Sequence, residues 1–147
     1  MTSVYRVDTR HRPQLLFAMM KFFAADGSRI AFEGNLIDTG LFKMDGASHE
    51  ETGTLKRATT APPLDFVVLP LDAARVTDIE KAIDSKVAFN GYKGIVHVQI
   101  EAQGEIAFAA FDNFGRDSVI VTSRVSTSVL DDLVTARILK GYAPATK

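Results

Sequence analysis

The chain has no cysteine among its 147 residues. Disulfide staples, thiolate nucleophiles and Cys-ligated zinc are thereby excluded, and a reducing, cytoplasmic setting is the default expectation. An excess of one charge sign is also missing. Lys and Arg total 17 and Asp and Glu 18, a formal net charge of −1. Such a chain has no overall field to draw it to nucleic acid or to an anionic membrane. The most apolar stretch, QLLFAMMKFFAA from Gln14, follows Arg6, Arg10 and Arg12 in the loose manner of a secretory leader, but Lys21 interrupts it. No run reaches the ~20 apolar residues that a membrane helix needs.

Familiar catalytic signatures are missing as well. GNLIDTG, from Gly34, has glycines but neither the spacing nor the Lys-Ser/Thr ending of a phosphate loop. No Gly-x-Ser-x-Gly elbow presents a serine nucleophile. No pair of histidines has the spacing of a helical zinc protease. The sequence therefore assigns no catalytic residue, no metal ligand and no cofactor, and whether the protein is an enzyme stays open.

What is present is an ordinary globular composition, 46% apolar and 24% charged. It suits a single α+β domain over residues 1–147 with a sizeable core. Two segments share Ile-Ala-Phe: RIAFEGN from Arg29 and EIAFAAF from Glu105. At a shift of 76, Met20–Phe32 overlays Val96–Phe108 without a gap. Both read as hairpins. In the second, Val96, Val98 and Ile100 alternate with His97, Gln99 and Glu101. A three-residue loop at Ala102-Gln103-Gly104 would set Ile100 opposite Ile106 and Val98 opposite Phe108. In the first, Asp26-Gly27-Ser28 would turn the chain so that Ala24 meets Ile30 and Phe22 meets Phe32.

An apolar strand follows in each half, DFVVLPL from Asp65 and DSVIVTS from Asp117. Then comes a helix, opened by a capping pair: Thr77 with Glu80, and Ser128 with Asp131. The expected buried stripes are Ile79, Ala82, Ile83 and Val87, and Leu130, Leu133, Val134 and Ile138. Gly91-Tyr92 and Gly141-Tyr142 would close the two helices. The sequence thus predicts a tandem repeat of hairpin–strand–helix units. Repeat 1 covers about residues 15–92 and repeat 2 about 94–142, after a basic N-terminal arm at 1–13. About six mainly antiparallel strands would carry two helices packed on one face.

The first half is longer by about 24 residues, an insertion at 37–63. Long loops inside compact domains are usually functional or disordered. Within it, His49, Glu50 and Glu51 could enter a metal or acid/base site, although a solvated polar loop is the simpler account. Asp45 lacks the acidic repeats of a calcium loop. Lys56 and Arg57 could hold a phosphate or a carboxylate. On the second hairpin, His97, Gln99 and Glu101 share a face with Ala107 and Ala109, a pattern able to floor a shallow pocket. A sheet with one wetted face, which needs no ligand, is the simpler account.

That outward face also holds Met19, Phe23, Ile95 and Phe111, too many apolar groups for bare exposure. The insertion, a small apolar ligand or a second copy of the chain in a homodimer should cover it. The functional expectation is a non-catalytic interaction or small-molecule-binding module. The alternative is a small enzyme whose site joins the 37–63 insertion to the His97 face. RNA binding through the N-terminal arm and sheet is the weaker alternative, because the net charge is near neutral.

Overall fold

The computed structural model describes residues 4–59, 61–83 and 94–145. Strand β1 is Val4–Thr9. Its side chains alternate: Tyr5 and Val7 join the apolar core, and Arg6 and Asp8 face outward. Helix α1, Arg12–Phe23, carries Pro13 in its first turn, where a missing amide costs nothing. Its buried residues Leu15, Leu16, Met19, Met20 and Phe23 recur at helical spacing along one side.

Strand β2 (Arg29–Gly34) is followed by a short 3-10 turn, Ile37–Thr39, and then by the rest of the insertion. Strand β3 (Asp65–Pro70) leads to helix α2 (Ala73–Ile83). Asp72 caps α2, its carboxylate accepting the amide of Arg75 at 3.0 Å. Strands β4 (Ile95–Ala102), β5 (Glu105–Ala110) and β6 (Val119–Thr122) precede helix α3 (Thr127–Thr135) and strand β7 (Leu139–Pro144).

The fold is α+β, with one seven-stranded sheet in the order β3-β2-β4-β5-β6-β1-β7. Every neighbouring pair is antiparallel. The three helices among the described residues contribute to the core on one face. Leu16 and Met20 of α1, Ile79 and Ile83 of α2 and Leu130 of α3 pack in one cluster with Phe32, Val98, Ile100, Phe108 and Val121. Burying each such large side chain is worth roughly 1.5–3 kcal/mol, so this cluster dominates stability. Truncating fully buried Phe32 or Phe108 to alanine would cost about 3–5 kcal/mol.

The opposite face has a second, smaller cluster of Ala31, Phe66 and Val68, sealed by Leu55 from the insertion and by Ile106. The insertion is thus what covers the apolar part of this face.

The first hairpin does not form, because Met20–Phe23 belong to α1. Ala24 and Phe22 therefore do not pair with Ile30 and Phe32, whose β2 neighbours lie on β3 and β4. The segment is apolar nearly all round, so period 2 and period 3.6 fit it almost equally well. Helices number three and strands seven among the described residues. The expected arm contains β1, a strand held between β6 and β7.

The second hairpin forms, but through the tighter turn. Ala102 pairs with Glu105, Glu101 with Ile106 and Ile100 with Phe108. Gln103 and Gly104 both take positive φ, 54° and 81°, as a two-residue hairpin turn requires. The surplus residue, Ala107, forms a bulge that returns Phe108 to the core while Ile106 stays outward. Arguing register from alternation alone fails where a bulge intervenes. A second bulge, at Val96 between the Gly34–Ile95 and Glu33–His97 pairs, sends Ile95 into the core. Met19 and Phe23, expected outward, are core residues too.

The helices begin earlier than the capping patterns imply. Ser126, not Ser128, caps α3 by accepting the amide of Val129 at 3.4 Å. Thr77 lies within α2. Gly141-Tyr142 belongs to β7, and Ile138 lies beyond the end of α3. Gly91-Tyr92 and Val87 fall outside the described residues.

Candidate functional site

The outer sheet face divides into a covered half and an open half. On the covered half, β2 and β4 place Glu33, His97, Gln99 and Glu101 side by side. All four are buried. A buried polar group must find partners or it destabilises the fold. Each partner here is internal. Glu33 accepts the backbone amides of Ala58 at 2.7 Å and Thr59 at 3.0 Å. The Gln99 side-chain amide donates to the Lys56 carbonyl at 2.6 Å. Glu101 holds the Arg29 guanidinium at 2.7 Å.

His97 is 4% exposed and uses both ring nitrogens. The backbone amide of Asp112 donates to Nδ1 at 3.0 Å, which fixes that nitrogen as an acceptor. Nε2 therefore carries the proton and donates to Thr59 Oγ1 at 2.8 Å. The imidazole bridges the insertion and the β5–β6 connection, with no free nitrogen for proton transfer.

The remaining sequence candidates are dispersed. His49 is exposed and packs against Phe42, ring centroids 4.0 Å apart and planes tilted by 32°, its Nδ1 donating to the Phe66 carbonyl at 3.2 Å. Glu50 is exposed. Glu51 accepts the amide of Arg57 at 2.7 Å. Arg57 lies over the Phe66 ring, 5.0 Å from its centroid, and donates to the Leu64 carbonyl. Lys56 contributes its carbonyl to Gln99, as above. The structure thus gathers His97, Gln99, Glu101 and the 56–59 segment, and leaves His49 and Glu50 outside that group. Neither His97 nor His49 hydrogen-bonds a carboxylate among the described residues. No three His, Asp or Glu side chains converge there as metal ligands.

Sequence reasoning missed Glu33, Thr59 and Asp112. Glu33 was detectable in principle, as a charged residue inside the apolar run IAFEG. Thr59 and the Asp112 amide carried no such signal.

The β5–β6 connection has an unusual backbone. Asp112, Asn113 and Phe114 have φ of 54°, 58° and 60°, a left-handed turn, and Asp117 has 64°. Each such residue costs roughly 1–2 kcal/mol unless its surroundings hold it there. Phe114 is buried in the core, the Asn113 amide donates to the Val96 carbonyl at 2.6 Å, and the Asp112 amide is held by His97.

Beyond this turn lies the open half. A depression of about 320 Å³ is lined by Arg6 and Asp8 of β1, Arg116 and Asp117 of the connection, and Lys140–Ala143 of β7. Gly141 and Ala143 stand opposite Asp8 and Arg6, so small residues make its floor. Lys140 occupies a bulge between the Thr9–Leu139 and Asp8–Gly141 pairs. Arg6 and Asp117 approach to 3.9 Å, with side chains 46% and 70% exposed, a pair of small energetic weight. Arg116, Lys140 and Asp8 form no ion pair among the described residues. At the rim, Tyr142 donates its hydroxyl to Asp131 at 2.6 Å. That hydrogen bond, with some burial and the nearby negative charge, raises the Tyr142 pKa above its ordinary 10.

Comparison with known protein families, curated proteins and solved structures gives no match for this chain. Among the described residues, no helix is long and apolar enough to cross a membrane.

Proposed function

We propose that the protein is a non-catalytic binding module whose working surface is the open half of the outer sheet face, the β1–β7 groove. One observation carries this reading. The polar groups under the insertion are spent on holding it to the sheet, while the adjoining groove keeps Arg116, Lys140 and Asp8 unpaired. The internal saturation of His97 weighs against the enzyme alternative at the insertion. Charged walls suit a polar ligand better than a small apolar one.

A second copy of the chain is the other occupant to consider, because β7 is an end strand of the sheet among the described residues. Within the same reading we keep a shortened repeat as a proposal, supported by the common order of β2–β3–α2 and β5–β6–α3, each with its two strands adjacent.

The test is residue-level mapping on isotope-labelled protein titrated with anionic, cationic and neutral small molecules. The reading expects saturable shifts at residues 6–8, 116–117 and 140–143. Shifts confined to residues 48–59 and 95–101 would return the site to the insertion. Sedimentation at high micromolar concentration addresses the homodimer, and a monomer there removes it.

A further inference from the structure

We infer that the β1–β7 groove binds a small ligand through a phosphate group, a proposal that rests on the binding-module reading above. Three cations line the groove from three separated segments: Arg6 from β1, Arg116 from the left-handed connection and Lys140 from the β7 bulge. Two carboxylates, Asp8 and Asp117, share the site, and only Asp117 pairs with a cation, across the loose 3.9 Å contact with Arg6. Three cations against two carboxylates leave the lining one positive charge in surplus, which an anion offsets.

Two guanidinium groups offer forked donors that match a tetrahedral oxyanion, and the ammonium adds a point charge. A phosphate with up to two negative charges uses all three cations better than a single carboxylate does. The floor at Gly141 and Ala143 leaves room for the anion to approach the strand backbone, and about 320 Å³ admits a small phosphorylated molecule. Asp8, unpaired on the same face, is placed to accept a hydroxyl of the group that bears the phosphate. The left-handed backbone at Asp117 contributes by setting the direction in which the Arg116 and Asp117 side chains leave the chain.

The experiment uses the full chain and inorganic pyrophosphate as probe, with acetate and sodium chloride at matched ionic strength as controls. Amide shifts are mapped, and binding is repeated with the R116Q/K140Q double variant. Both side chains lie outside the core, so the variant keeps the fold, which far-UV circular dichroism verifies. Saturable pyrophosphate shifts at residues 6–8, 116–117 and 140–143, weakened roughly tenfold or more in the variant and not reproduced by acetate, support the inference. Equal binding by variant and parent overturns it, and so does equal response to acetate. Groove shifts produced only by neutral or cationic compounds sink the phosphate assignment and leave the binding module standing. No groove response to any class sinks both.

Discussion

Thr59 Oγ1 lies 2.8 Å from Nε2 of His97 and ties the insertion to the central strand β4. Because the Asp112 amide occupies the other ring nitrogen as a donor, the tautomer is set by the partners. His49 has the reverse arrangement, its Nδ1 facing a carbonyl that can only accept. Long-range proton–nitrogen correlation spectra should therefore show His97 as the Nε2–H form and His49 as the Nδ1–H form. Finding His97 protonated on Nδ1 would break the bridge between insertion and connection on which the closed half depends.

Glu33 supplies the second tie. Its carboxylate faces two successive amide donors, and it is 1% exposed. Glu33→Gln turns one acceptor into a donor facing the Ala58 or Thr59 amide. The expected loss is about 1–3 kcal/mol, read from the denaturant midpoint. Hydrogen exchange should quicken first at Ala58 and Thr59. An unchanged midpoint, with those amides still protected, would mean that the carboxylate does not anchor the segment.

How much of this was legible beforehand depends on the kind of signal. The β3 and β6 strands were readable because short apolar runs bounded by turn residues have few alternatives, and the outward row His97-Gln99-Glu101 was readable because its alternation is uninterrupted. Helix α1 was not: Leu15 to Phe23 is apolar on nearly every side, and its resemblance to the second hairpin concerned composition rather than period. The bulges at Val96 and Ala107 left no mark a single sequence could show, so the loop length chosen by parity was the wrong one. The insertion was found by length, whereas its ties to Glu33 and His97 join residues 25 to 38 positions apart and belong to the tertiary structure.

The connection between β5 and β6 can be tested through Asp112, whose side chain is exposed and whose φ is 54°. Glycine adopts this conformation without strain, and a β-branched residue does not. Asp112→Gly should leave stability within roughly 0.5–1 kcal/mol of the parent, and Asp112→Val should cost about 1–2 kcal/mol more than the glycine variant. Thermal and chemical denaturation of the pair provides the comparison. Equal stability of the two would show that the turn is not left-handed in solution.

Tyr142 makes a pH test. The Asp131 carboxylate accepts its hydroxyl proton, which favours the neutral phenol in the folded protein and raises its pKa above 10. The sign follows by linkage: a group whose folded pKa is raised adds stability that is fully present below the unfolded value and is lost as pH climbs through the folded value. Ionisation of Tyr142 should therefore weaken the contact between α3 and β7 as pH climbs above 10. Ultraviolet titration of tyrosinate should place one late ionisation, moved earlier by Asp131→Asn. If the titration curve is the same in that variant, the hydrogen bond does not govern the phenol.

Gly34 closes β2 against the bulge that delivers His97 to the outer face. A Cβ built there would stand 2.2 Å from the Gly94 carbonyl oxygen and 2.9 Å from the Val96 nitrogen, both backbone atoms with no side-chain freedom to retreat. The same carbonyl accepts the Asn35 amide at 3.0 Å, so moving it away sacrifices a hydrogen bond. Gly34→Ala should then destabilise by at least about 2–4 kcal/mol, beyond the usual range for a surface change. Because the displaced strand carries Val96 and His97, the damage should also reach the Asp112 amide, whose exchange protection should fall along with that of Asn35. Wild-type stability in this variant would contradict the close approach of β2 and β4, and with it the register that aligns Glu33 beside His97.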